Sequence, residues 1–386
     1  MKPTYQNFRI SSKARIMLKL SLPNISESAI NAVAQVLRSG QLVHGSECDA
    51  FEQELAAYLG CMDVVLVSSG TAALHVALLA LDIGPGDAVI VPDFTFPATA
   101  NVVAITGARP LIVDVLSSDY TIDTVQLERL VQTWQGPERL RAIIPVHEFG
   151  CMANMEAILD ISGTYGLAVI EDAACALGAK LKGQKAGTFG EAGCFSFHPR
   201  KTLTTGEGGA IACKSIELAA RMRRLRNHGI ERNFDGVHFR EPATNYRLTN
   251  FQAALGRQQL PQLDDWIQVR RKLVKDYLQE LTPLSQRGLL CLPKWQEEHS
   301  WQTFMILLNV PPCRRTEIIE QLKLKSIESN LGAQSLSTIG IYGQPLQDCP
   351  IGATLYRQGL ALPLYERMTT DDVKLVAASL ALILSP

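Results

Sequence analysis

The feature that most constrains the fold is an alternation, between residues 64 and 213, of short β-rich runs with helical periods. The runs span 64–67, 88–91, 111–115, 142–146, 167–170, 194–197 and 210–213, and Val, Ile, Leu and Ala dominate them. Helical spacing fills 72–81, 124–134 and 154–165. Strands that are apolar on both faces and alternate with helices predict an α/β fold with a mostly parallel sheet covered on both sides. Such sheets bind ligands beyond the carboxyl ends of their strands, so the residues that follow each run are the candidates for chemistry.

Past residue 213 a basic helical stretch (Arg221, Arg223, Arg224, Arg226) leads into an irregular polar segment. A long helical segment over 250–281, bent or restarted at Pro261, follows. The remainder reads as a smaller α/β lobe with a strand at 303–310 and helices at 316–324 and 371–382. The organisation expected is a basic arm at 1–19, a large domain at 20–255 and a small C-terminal domain at 256–386.

Composition removes other classes. The 37 basic and 38 acidic residues nearly cancel, unlike a nucleic-acid binder. At 47% apolar the chain is not disordered, and its longest apolar stretches fall short of the ~20 residues of a membrane span. None of the nine cysteines has CxxC spacing, so no metal centre is indicated and reduced thiols in a cytoplasmic setting are expected. The arm carries no apolar core of a secretory signal.

Three strand ends stand out. Ser68-Ser69-Gly70-Thr71 joins a buried strand to a helix, where free N–H groups and the helix dipole suit a phosphate; an ordinary Ser or Thr N-cap accounts for the same residues. Glu171 and Asp172 close another strand, placing a carboxylate at the ligand edge or capping the next helix. Lys201 lies on a Thr- and Gly-rich loop after a third strand. A lysine there is a candidate Schiff-base nucleophile, with Arg200 and His198 beside it to lower its pKa, or a solvated surface residue. Together the three supply what pyridoxal 5'-phosphate needs: an amine, an acid for the pyridine nitrogen and a phosphate anchor.

The ordered motifs SSGTAAL, PDFTFPATAN, PVHEFG, VIEDAACALGA, GCFSFHPRKTLTTGEGG, RLRNHG and NYRLTNFQAALG resemble the DegT/DnrJ/EryC1/StrS aminotransferases, from about residue 20 onward. The resemblance implies a fold-type I pyridoxal-phosphate transferase that moves the amino group of L-glutamate to a keto sugar, usually a keto sugar nucleotide. It implies that Lys201 holds the cofactor as an internal aldimine and shuttles the proton, and that Asp172 pairs with the pyridinium nitrogen. Phe96 would stack on the ring, Gly70, Thr71 and Ser196 would hold the phosphate, and Asn245 would reach it from a neighbouring subunit, making a homodimer with shared active sites. Four features depart from the family pattern. Cys175 replaces a Gln or His near the phenolic oxygen, and a thiol is the weaker partner. Glu148 stands where an apolar residue is usual, Thr244 replaces Gly, and the 330–337 loop lacks a His. A related sugar dehydratase would carry His at 201. A cofactor-binding regulator, or an aminotransferase acting on a cyclitol such as scyllo-inosose, are the other readings.

Overall fold

Seven strands form the central sheet in the order Asp63–Val67, Gly209–Cys213, Ala192–Ser196, Ala168–Asp172, Arg139–Ile143, Asp87–Pro92, Arg109–Val113. Gly209–Cys213 runs antiparallel to both neighbours, and all other pairings are parallel. This computed structural model describes residues 17–343 and 348–384, so the basic arm lies outside the described residues except at positions 17–19. There the Leu18 N–H donates to the Ser326 carbonyl at 2.9 Å, and Lys19 pairs with Glu328 at 2.9 Å.

The sheet is buried on both faces. Val65 and Val67 enter the core under helices Gly70–Ala80, Ala98–Ile105 and Ile216–Leu225, while Val64 and Leu66 enter the opposite core against Ser46–Leu59. That period of two across a strand explains why these runs are apolar throughout and not alternating. Two strands begin earlier than their apolar residues suggest, at Arg109 and Arg139. Their charged first residues pair at the sheet's amino edge, Arg109 with Glu138 at 3.3 Å and Arg139 with Asp87 at 3.0 Å. At the other end Pro145 has no N–H for the ladder.

The basic stretch 221–226 is structural. Arg223 binds Glu52 at 2.9 Å and Asp63 at 2.5 Å, Arg226 pairs with the same Glu52, and Arg221 binds Asp82 at 2.6 Å.

The 250–281 segment is divided into helix Asn250–Gln259, a 3-10 turn Leu260–Gln262 holding Pro261, and helix Leu263–Gln286. That last helix crosses between two cores. Leu263 and Ile267 pack with the large sheet; Leu273, Val274, Tyr277 and Leu281 pack with the small lobe. The small lobe has an antiparallel sheet of Leu290–Cys291, Phe304–Leu308 and Gly359–Leu362, with helices Pro312–Leu324 and Thr370–Leu384. At the crossing the buried Arg270 binds Glu366 at 2.6 Å and the carbonyls of Trp301, Gln302 and Leu364.

The small lobe also reaches back to the large sheet. Gln334–Ser335 pairs with Phe94–Thr95, and Asp93 accepts the Ser337 N–H at 2.7 Å. Buried Asp114 accepts the N–H groups of Ile351 and Gly352 at 2.9 and 2.8 Å, in the first turn of helix Pro350–Gln358. Asp114 also accepts the Val115 N–H at 2.9 Å, so removing that acceptor leaves three donors unmet, two of them buried. Asp114→Ala is therefore expected to lower stability by about 1–3 kcal/mol, read as a lower urea midpoint with an unchanged slope.

Candidate active site

Five of the loops at the carboxyl edge of the sheet converge. The first follows Asp63–Val67. Ser69 caps helix Gly70–Ala80, its Oγ accepting the Ala72 N–H at 3.0 Å. The cap reading therefore holds for Ser69, and it leaves the N–H groups of Gly70 and Thr71 without an intrahelical acceptor. A Cβ on Gly70 would come to 2.8 Å from the Ser196 Cβ, so only glycine lets this turn lie against Ser196. Gly209 is equally required, since a Cβ there would meet the Ser69 carbonyl at 2.5 Å. Gly70, Thr71 and Ser196 are thus brought together.

The two strand-end acids point to opposite faces, as neighbours on a strand must. Glu171 is architectural: it accepts from the Gly187, Phe189 and Gly190 N–H groups at 2.7–2.8 Å and lies 2.8 Å from His147 Nε2. The Ala153 N–H donates to His147 Nδ1 at 3.2 Å, which leaves the His147 proton on Nε2 to donate to Glu171. Asp172 faces the site. Its Oδ2 accepts from Thr99 Oγ1 at 2.8 Å and its Oδ1 from the Ala174 N–H at 3.2 Å. Burial raises this carboxyl above the ordinary range, and both hydrogen bonds and Lys201 act against that rise.

Lys201 follows the Ala192–Ser196 strand. The residue is half-buried, but its amine is enclosed and donates to Cys175 Sγ at 2.9 Å. The loop is clamped by buried Gln259, whose side chain bonds both the N–H and the carbonyl of Thr204, at 3.2 and 2.7 Å. The expectation that Arg200 and His198 lower the lysine pKa is corrected. Burial does act downward, yet Cys175, Asp172 and Glu148 outweigh it and hold the ammonium above its usual range. His198 instead turns back on its own loop, its Nδ1 accepting the Arg200 N–H at 3.2 Å.

Phe96 lies on the turn before helix Ala98–Ile105 with 71% of its surface exposed, so it is no core filler. Thr99, one turn further, orients Asp172. The sequence pattern did not single it out, although a hydroxyl three residues after Phe96 at a helix start was the available signal. Glu148, by contrast, is buried beside Lys201 and Asp172, in the turn after His147. Asn245 is not part of this cluster: it is exposed, and its Oδ1 accepts the Arg247 N–H at 3.4 Å.

These residues fit pyridoxal phosphate. The Gly70–Ser196 approach forms a backbone cradle at a helix start. Asp172 meets only neutral hydrogen-bond donors, Thr99 and Ala174, so no cation in hydrogen-bond contact competes with a cationic ring nitrogen. A flat anionic aldehyde uses cradle, acid and enclosed amine at once, which defines a pyridoxal-phosphate enzyme built on an α/β sheet.

Comparison with known proteins agrees. The chain is 36% identical over 340 residues to GDP-perosamine synthase of Caulobacter vibrioides, covering 86% of this chain and 89% of that protein. Among solved structures it resembles S. venezuelae DesV in complex with a ketimine intermediate (TM-score 0.84, 33% identity, 93% of this chain and 94% of that one). It also resembles the PLP form of the putative sugar aminotransferase Spr1654 from Streptococcus pneumoniae (TM-score 0.87, 26% identity, 95% and 98% covered). The chain belongs to the DegT/DnrJ/EryC1/StrS aminotransferase family, whose model matches residues 23–381. It is a pyridoxal-phosphate-dependent sugar aminotransferase of fold type I. Among the described residues no helix is long and apolar enough to cross a membrane.

Proposed function

We propose that this enzyme takes the amino group of L-glutamate and delivers it to a nucleotide-linked 3- or 4-keto-6-deoxy sugar, in the cytoplasm, as a homodimer with shared active sites. The observation that carries the reading is the Lys201 amine, enclosed beside Cys175 and coupled to the buried Asp172. When bound, the pyridoxal ring supplies an electron sink for the carbanion formed as the donor loses its α-proton.

In this reading Lys201 would hold the cofactor, and its Nζ would hold and move the proton at the reacting carbons. Asp172, oriented by Thr99, would keep the ring nitrogen protonated through a charge-assisted bond. The exposed ring of Phe96 would hold the cofactor by stacking and exclude water from it. The N–H groups of Gly70 and Thr71 with the Ser196 hydroxyl would bind the phosphate, and Cys175 would be the partner of the phenolic oxygen. Asn245 of the partner subunit completes the phosphate site. Its exposure supports this, as do exposed Phe234 and Phe239 on the hairpin Ile230–Asn233/Gly236–Phe239. The likeness to GDP-perosamine synthase supports a nucleotide-linked acceptor.

The test is glutamate-dependent amination across a panel of 3-keto and 4-keto nucleotide sugars. The reading expects at least one to be aminated with stoichiometric 2-oxoglutarate. Acceptance of scyllo-inosose alone would move the assignment to a cyclitol, and a cofactor band that glutamate fails to bleach would favour a regulator.

A further inference from the structure

Several carboxylates buried elsewhere in the molecule have their charge met. Glu171 accepts three backbone N–H groups, Glu52 pairs with Arg223 and Arg226, and Glu366 pairs with Arg270. Glu148, 4% exposed, differs. The Phe149 N–H is its backbone donor, and among the described residues no cation lies within ion-pair distance of it and no side chain donates a hydrogen bond to it. Its position is nevertheless imposed by the backbone. Phe149 adopts φ 56°, an unfavourable value for an aromatic residue, and Gly150 follows at φ 97°. Strain of this kind persists only where the surroundings fix it, and it concentrates at functional sites.

The surroundings do fix it. The Ser300 N–H donates to the Gly150 carbonyl at 3.1 Å and the Gln302 N–H to the Phe149 carbonyl at 2.9 Å. A Cβ on Gly150 would approach the Cys175 carbonyl to 3.1 Å, so the turn is wedged against the residue that contacts the Lys201 amine. The titratable groups facing Glu148 are Lys201 from its loop, Asp172 from the strand end, Cys175 from the loop after it, and Cys151 from its own segment.

We infer that Glu148 is a second acid–base group of this site, which acts through Lys201 by setting the pH at which the lysine nitrogen holds its proton. The inference rests on the Lys201 assignment proposed above. Asp172 is committed to the ring nitrogen in that assignment, which leaves Glu148 as the carboxyl able to answer a change of charge on the lysine nitrogen. Burial places the Glu148 carboxyl at about 8, with Lys201 pulling it down and Asp172 pushing it up. It is thus largely neutral in mildly acidic solution. As pH rises it releases its proton, and the resulting carboxylate favours the protonated form of the neighbouring nitrogen. The exchange is a simple proton transfer, COOH and neutral nitrogen on one side, carboxylate and protonated nitrogen on the other.

The test is a pH titration of the absorbance of the holoenzyme without substrate, in wild type, Glu148→Gln and Glu148→Asp, with circular dichroism to establish folding. A neighbouring opposite charge shifts a titration by about one unit or more. Glu148→Gln is therefore expected to lose the protonated band at a midpoint about one pH unit lower, and Glu148→Asp to restore much of the wild-type midpoint. The alkaline limb of kcat should move with it. If the amide does not fold, Glu148→Leu, of similar volume, replaces it with the same expected shift. Midpoints that coincide in wild type and the uncharged variant overturn this inference and leave the Lys201 assignment standing. A wild-type holoenzyme with no titrating band overturns both.

Discussion

Lys201→Ala and Lys201→Arg are each expected to reduce glutamate-dependent amination by at least about 10³-fold, since proton transfer by a placed base alone contributes roughly 10²–10⁴. Neither variant retains an amine that is free at neutral pH on this loop. The local fold should survive. The loop is held by Gln259 on Thr204 and by the Lys201 N–H on the His198 carbonyl, none of which uses the lysine side chain. Alanine removes one thiol contact, at 2.9 Å, and leaves Cys175 neutral, since burial raises its thiol. The variant should therefore fold with an unchanged circular dichroism spectrum, and stopped assays with product analysis would measure the loss. Full turnover in either variant would remove Lys201 from the reaction.

Asp172→Asn is expected to lower kcat by on the order of 10²–10³, the scale for loss of one electrostatic stabiliser. The change is nearly isosteric, so the effect is one of charge. An amide cannot hold a pyridinium, and without that cation the ring withdraws electrons poorly. The Thr99 Oγ1 and Ala174 N–H bonds to the carboxyl, at 2.8 and 3.2 Å, can still be made to the amide oxygen one at a time. The neighbouring acid supplies the contrast. Glu171→Gln would leave the cofactor spectrum in place, since Glu171 serves the Gly187–Gly190 loop and His147, but it would weaken the fold. A reduced kcat with an altered cofactor spectrum in Asp172→Asn, and a reduced urea midpoint without one in Glu171→Gln, would separate the two roles. Equal effects in both variants would contradict the division.

The sheet was legible because its strands are buried on both faces, so their composition alone marks them. Arg109 and Arg139 hid two strand starts, because a charged residue at the sheet's amino edge looks like loop. The early helices Glu27–Ser39 and Ser46–Leu59 and the late helix Pro350–Gln358 escaped notice; the first buries Ala29 and Val36, the last Gly352, Ala353 and Leu355, and the second includes Glu52 among its buried residues. Lys201 and Asp172 were named from the sequence because a loop lysine, a strand-end acid and a phosphate cradle, each weak alone, together match one cofactor and one family's ordered motifs. Assigning their neighbours needed geometry. Which of Glu171 and Asp172 faces the site depends on strand register, and Thr99 becomes relevant only because the turn at Phe96 directs its helix toward Asp172. The direction of the Lys201 shift was misjudged for a related reason. Adjacent residues in a loop diverge: His198 bonds its own loop and Arg200 is exposed, while Cys175, Asp172 and Glu148, distant in sequence, set the field.

The central claim is that the ε-nitrogen of Lys201 holds the cofactor. Borohydride reduction of the holoenzyme would fix that bond irreversibly, and peptide mapping by mass spectrometry would then locate it. A phosphopyridoxyl mass on the peptide containing Lys201, lost when glutamate is added before the reductant, is the result predicted here. The same mass on another lysine, or none on a protein that retains its cofactor colour, would contradict it.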